Sequence, residues 1–294
     1  MGYNVLVMEL DLDHYVHSVH MPSPSSHKGQ NGKVMVIGGS ELFHAASRWA
    51  LDVVASMVDM VFYSSVPLNN ALIREAKGEF WSGVIVPRGE LENYLSEADV
   101  VLIGPGMTRQ TLNDLSYDQL SDQDWNTNTY KITNYLLQKY SHKKWVIDAG
   151  ALQMVDPHLL QKQMICTPHQ GEFAQLAQKV GISLSSNLKK DTQQVSVALG
   201  NVTIVHKGEI DFVCQGESEQ AVSGGNAGMT KGGTGDVLAG LIAGLYTMSD
   251  DPFSVGVLGS YVNKTAGDQL FSQVGPFYST QQLVLQIPKV LLIL

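Results

Sequence analysis

Residues 144–180 read KWVIDAGALQMVDPHLLQKQMICTPHQGEFAQLAQKV. Two short apolar runs, Lys144–Ile147 and Met164–Cys166, each stop abruptly. The first ends in Asp148-Ala149-Gly150, the second in Thr167-Pro168-His169-Gln170-Gly171-Glu172, and Glu172–Val180 then takes up helical spacing. Apolar runs without polar alternation suit strands buried on both faces, and helices between them suit crossovers joining parallel strands. The unit recurs on both sides. Lys33–Ile37, Met60–Tyr63, Val100–Ile103 and Val202–Val205 read as further strands, and Ala45–Val58, Thr133–Tyr140 and Val237–Tyr246 as further helices. The alternation predicts an α/β protein of three layers, αβα, around a central, mostly parallel sheet.

The flanking segments add less. Met21–Asn31, with Pro22 and Pro24, is a loop entering the first strand. Thr108–Thr129, rich in Asp, Asn and Gln, reads as a surface insertion, and the apolar tail Leu283–Leu294, broken by Gln286, Pro288 and Lys289, as a closing element docked on the core. No internal repeat or shift of composition marks a domain boundary.

Composition narrows the function. The chain has 294 residues, 28 of them glycine, and 19 Lys+Arg against 28 Asp+Glu give a net charge of −9. That balance argues against a nucleic-acid partner, whose phosphates need clustered cations. The cysteines Cys166 and Cys214 stand far apart with no metal-ligand spacing, which fits a reducing compartment. The acidic start (Glu9, Asp11, Asp13) and the lack of a membrane-length apolar run predict a cytoplasmic protein that does not span a membrane.

In open α/β sheets, ligands bind beyond the carboxyl ends of the strands. Gly38-Gly39-Ser40 and Gly104-Pro105-Gly106 stand at such ends, with Asp148-Ala149-Gly150 and Thr167–Glu172 beside them. The sharpest segment is Gly224–Leu245, GGNAGMTKGGTGDVLAGLIAGL. Gly232, Gly233 and Gly235 permit a tight turn into a helix of small apolar residues, whose free first-turn amides form an anion hole. Asp236 then has two readings: an N-terminal cap of that helix, or a base accepting a proton from an attacking hydroxyl. The pattern is neither a P-loop nor a GxGxxG dinucleotide motif.

Taken together, GGS at 38–40, GPG at 104–106, VIDAGAL at 146–152, TPHQGEF at 167–173, VHKGEIDFV at 205–213 and GGTGDVLAGLIAGL at 232–245 resemble the NAD(P)H-hydrate dehydratases of the ribokinase-like superfamily. The resemblance runs from Lys28 to Asp268. It implies one ribokinase-like dehydratase domain over 28–294, after an N-terminal segment 1–27 too short for the epimerase domain that some members carry. It further implies nucleotide-dependent repair of NADHX and NADPHX. ADP or ATP phosphorylates the C6 hydroxyl, and loss of phosphate, driven by the ring-nitrogen lone pair, restores the reduced dinucleotide. ADP, giving AMP and phosphate, is the expected nucleotide.

Position by position, the resemblance makes Asp236 the base, with Gly233, Thr234 and Gly235 supplying the amides that face the phosphoryl group. Ala46, Gly106, His169 and Asp236 would contact the hydrated dinucleotide. Lys207, Gly208, Glu209, Ile210 and Asp211, with Gly235, would contact the nucleotide. Glu172 would hold Mg2+ through water. A homotetramer and a separate NAD(P)HX epimerase are the implied partners.

Three positions depart from the family pattern: Ala45 replaces a usual glycine, Glu209 follows Lys207-Gly208 where alanine is common, and Asn263-Lys264 stand where a histidine precedes Ala-Gly-Asp. Two other functions remain open: a small-molecule kinase of the hydroxymethylpyrimidine or hydroxyethylthiazole type, and a non-catalytic nucleotide sensor. His14, His17 and His20 recur at a spacing that could align metal ligands, but the segment lies outside the matched blocks and the spacing is read as a solvated helix face.

Overall fold

A computed structural model describes residues 10–80, 83–110 and 116–294. Its centre is a nine-stranded sheet ordered β3-β2-β1-β4-β5-β6-β7-β8-β9. The strands are β1 (Lys33–Ile37), β2 (Met60–Ser64), β3 (Gly83–Ile85), β4 (Val100–Ile103), β5 (Lys144–Ile147), β6 (Met164–Cys166), β7 (Thr203–His206), β8 (Asp211–Gln215) and β9 (Ser218–Val222). β1 to β7 run parallel; β8 and β9 pair antiparallel as a hairpin on β7. The helices are α1 (Leu12–His17), α2 (His44–Ala55), α3 (Pro67–Phe80), α4 (Leu91–Leu95), α5 (Asp124–Thr127), α6 (Thr129–Lys139), α7 (Ala149–Met154), α8 (Gln170–Lys179), α9 (Leu188–Ala198), α10 (Thr234–Tyr246), α11 (Pro252–Val274) and α12 (Thr280–Leu291).

Successive strand residues point to opposite faces, and the sheet divides its apolar residues accordingly. Val34, Val36, Val100, Leu102 and Val146 pack with α2, α10, α11 and α12. Met35, Ile37, Val101, Ile103 and Trp145 pack with α4, α6, α7, α8 and α9. Each continuous apolar run therefore feeds two cores, which is why the strands lack polar alternation.

Within the first layer α10 lies directly on α2. A side chain at Gly240 would begin 2.5 Å from the Ala50 carbonyl, so the two backbones touch where the small residues of α10 fall.

The expected αβα architecture is present, with boundary differences. α6 starts at Thr129 because Asn128 caps it, accepting from the Lys131 amide, and α10 starts at Thr234. The antiparallel β8 and β9 departs from uniform parallel order. In the expected insertion, residues 111–115 lie outside the described residues, as do 1–9. The rest is anchored: Trp125 on α5 meets Tyr135 edge-on at 5.7 Å, and Tyr117 donates to Asp156. The histidines do not share one helix face: α1 ends at His17, whose Nδ1 lies 2.6 Å from the Asp13 carbonyl, and His20 lies beyond the helix. Among the described residues no helix is long and apolar enough to cross a membrane.

Candidate active site

The strand order reverses between β1 and β4, and that switch point opens the crevice an α/β sheet offers to ligands. Two turns meet there. The Gly39 amide donates to the Pro105 carbonyl at 2.7 Å, and a side chain at Gly106 would begin 3.1 Å from the Ala46 methyl. The predicted contacts Ala46 and Gly106 are thus neighbours. At Gly104 φ is +124°, and a Cβ would fall 1.8 Å from the Asp148 carbonyl oxygen, so only glycine lets β4 and β5 end side by side.

Beyond β5, β6 and β7 the edge becomes charged. Asp148 is buried; its Oδ1 accepts from Thr167 Oγ1 at 2.8 Å and from Lys207 Nζ at 3.0 Å. Lys207 leaves β7 beside His169, its amide donating to the Pro168 carbonyl. Its ammonium reaches the start of α10, 3.3 Å from where a Gly235 side chain would begin. Burial pulls the Lys207 ammonium down, but Asp148, Glu172 and Asp236 outweigh it and hold its pKa above the ordinary lysine value.

The turn into α10 is built for its strain. Gly233 caps the helix at φ +97°, its face pressed on Trp49 of α2, and the Thr280 hydroxyl holds the Gly232 carbonyl at 2.8 Å. The Gly235 amide, aligned with the helix dipole, donates to no group among the described residues. Burial first, then Asp148 and Glu172, push the Asp236 carboxyl up to about 7 against the opposing pull of Lys207. A carboxylate held near neutrality is suited to taking a proton at working pH.

His169 and Glu172 have a further duty in the fold. The His169 ring caps α8, its Nδ1 accepting from the Gly171 and Glu172 amides, while Glu172 Oε2 accepts from the His169 amide at 3.0 Å. Glu172 Oε1 accepts from Gln153 at 2.9 Å, so both carboxylate oxygens already have protein donors. No group of three or more His, Cys, Asp or Glu among the described residues could hold a metal ion. The donor set fits only a magnesium carried chiefly by substrate phosphates and its own waters.

A cleft of about 780 Å³ opens beside this cluster, within the range of small-molecule sites. Of the residues expected at the nucleotide, it is lined by Lys207, Gly208, Glu209, Asp211 and Gly235, with His169 and Thr234. Asp211, however, turns into the protein: it accepts from the Gly208 amide at 2.9 Å, from the Ser260 hydroxyl, and pairs with Lys264 at 3.3 Å. It braces the β7–β8 turn. Sequence reasoning missed three parts of the site: Asp148 as partner of Lys207, the wall Gly224–Thr230, and Lys264. A charged residue closing a predicted strand was the available signal for Asp148.

Comparison with known proteins agrees with this geometry. The fold is ribokinase-like: a ribokinase-like superfamily protein from Enterococcus faecalis superposes with a TM-score of 0.77 at 22% identity, covering 98% of this chain and 97% of that one. An ADP/ATP-dependent NAD(P)H-hydrate dehydratase from Bacillus subtilis, co-crystallized with ATP/Mg2+, superposes with a TM-score of 0.73 at 19% identity over 99% of both chains. The NAD(P)H-hydrate dehydratase family model matches residues 34–289, and the chain belongs to that family.

Among relatives, the bifunctional NAD(P)H-hydrate repair enzyme Nnr of Methanocaldococcus jannaschii is 34% identical over 278 residues, 91% of this chain and 49% of that protein. The ADP-dependent (S)-NAD(P)H-hydrate dehydratase of Nitrosopumilus maritimus is 28% identical over 281 residues, 90% of each chain. The chain spans about half the length of the bifunctional relatives it matches.

Proposed function

We propose that this chain dehydrates (6S)-NADHX and NADPHX at the expense of ADP or ATP, with ADP the expected donor. The observation that carries the reading is Asp236: a carboxyl raised to about 7, on the first turn of a helix whose Gly235 amide has no acceptor among the described residues. The cleft lined by Lys207, Gly208 and Gly235 takes the nucleotide, and the switch-point turns at Ala46 and Gly106 take the hydrated dinucleotide.

Asp236 accepts the proton of the C6 hydroxyl as its oxygen attacks the terminal phosphorus. The amides of Gly233 and Gly235 meet the charge that grows on the phosphoryl oxygens, whereas the Thr234 amide, expected beside them, already donates to the Lys231 carbonyl at 3.4 Å; Lys207, aligned by Asp148, adds a fixed positive charge. The nucleoside phosphate leaves with the bond electrons. The ring-nitrogen lone pair then expels inorganic phosphate, and loss of the neighbouring ring proton restores the reduced nicotinamide. Glu172 would hold magnesium through water, and the ion would supply charge neutralisation of the phosphates. A separate NAD(P)HX epimerase and self-association into a tetramer belong to the same reading, as does a cytoplasmic location.

The test combines purified protein, hydrated NADH, magnesium and either nucleotide, following return of reduced-nicotinamide absorbance together with phosphate release. A nucleotide-dependent return, lost in Asp236→Asn, is the expected result. Folded, nucleotide-binding protein that gives no return, or that accumulates a stable phosphate ester, overturns it in favour of a kinase.

A further inference from the structure

Lys264 is a lysine almost fully withdrawn from solvent, 5% exposed, on α11 beneath the cleft. Its ammonium donates to the carbonyls of Gly208 at 3.0 Å, Glu209 at 3.1 Å and Gly224 at 3.1 Å, and lies 3.3 Å from Asp211 Oδ1. An ammonium has three donors, and here all three end on main-chain carbonyls. None is left for a ligand phosphate, and Asp211 balances the charge. Lys264 is therefore no second Lys207.

What it joins is informative. Gly208 and Glu209 belong to the turn between β7 and β8, whereas Gly224 follows β9, and the two segments both form walls of the cleft. Asp211 is itself fixed by the Gly208 amide and the Ser260 hydroxyl. One turn further along α11, Asp268 accepts from the Gly225 amide at 2.9 Å and from Asn226 at 2.9 Å, securing the same wall. Three carbonyls and one carboxylate converging on a single positive centre are the donor set that replaces the water shell of a large monovalent cation, and ammonium and potassium are close in size.

We propose that the Lys264 ammonium is a tethered cation filling an all-oxygen cage that holds the two walls of the cleft at their working separation, and that a free potassium or ammonium ion takes its place when the side chain is removed. Lys264 is a positioning residue. The inference about the cage stands on the contacts alone; its effect on the nucleotide rests on the proposed function.

The experiment compares wild type and Lys264→Ala in choline, sodium, potassium and ammonium chloride at equal ionic strength, by thermal unfolding and by calorimetric titration with ADP. In choline the variant is expected to melt about 5 °C or more below wild type, because breaking a buried charge pair is costly. Potassium or ammonium recovers at least half of that loss, while wild type is indifferent to the exchange. ADP affinity falls about tenfold in choline and returns with potassium, the scale of one lost charged hydrogen bond.

Cation-dependent melting without any ADP binding by wild type keeps the cage and overturns the nucleotide reading. A variant that melts with wild type in every salt, or whose loss no monovalent cation restores, overturns the cage. Should Lys264→Ala not fold, Lys264→Met decides: its retained stem blocks the cage, so it melts low in every salt, and melting with wild type sinks the proposal.

Discussion

The carboxyl edge of the sheet has two halves built on different principles. At β1 and β4, the turns Gly38–Ser40 and Gly104–Gly106 meet backbone to backbone, and what matters is the room that missing side chains leave. At β5, β6 and β7, buried charge decides: Asp148 and Glu172 hold the pKa values of both Lys207 and Asp236 above their ordinary values. The first half is intolerant of added atoms, the second of altered charge. One sheet edge therefore has two independent ways to fail, and they separate experimentally.

The largest expected effect lies in the charged half. Asp236→Asn keeps shape and removes the proposed base, and is expected to lower turnover about 10²- to 10⁴-fold in the dehydration assay. The same change should raise stability. The folded Asp236 pKa stands above its ordinary value, so the stability it contributes is complete at low pH and is lost as pH rises through about 7. The melting temperature of the asparagine variant should thus gain on wild type between about pH 4 and about pH 7; a constant difference would sever activity from burial at this residue.

Next comes the uncharged half. Gly104→Ala places a methyl against the Asp148 carbonyl at a positive φ and should cost about 3 kcal/mol or more in denaturant unfolding. A cost below about 1 kcal/mol would erase the distinction between the halves. Lys207→Met takes away the positive charge that opposes the rise at Asp236, so the rising limb of the pH–rate profile moves to higher pH; an unmoved or lowered limb refutes the coupling. His169→Ala removes a helix cap worth about 1 kcal/mol, read by thermal unfolding. Smallest is Glu209→Gln on the exposed rim: stability should stay within about 0.5 kcal/mol, with nucleotide binding slightly tighter at low salt.

The parallel part of the fold was legible because every strand from β4 to β6 is a continuous apolar run serving two cores. β3, with Gly83, and β9, with Ser218, Glu219 and Gln220, have no such run, so neither the edge strand nor the antiparallel turn-back was foreseen. The tight turn into α10 was legible in the glycines before it. Lys264 was not: it acts on Gly208, Glu209 and Gly224, more than thirty residues away, and nothing local announces that pairing. Asp211 shows the converse. It sits where the family resemblance places a nucleotide contact, yet its carboxylate is consumed by Gly208, Ser260 and Lys264.

The backbone contact of α10 on α2 carries a consequence for how the molecule breathes. From Val237 to Tyr246 the helix is buried throughout, and helices that open only with the whole domain exchange their amide hydrogens last. By contrast Leu42 and Phe43, at the mouth of the switch point, are 77% and 55% exposed. Hydrogen exchange is therefore expected to be slow in α10, on which the Gly233 turn stands, and fast at the exposed rim of Leu42 and Phe43.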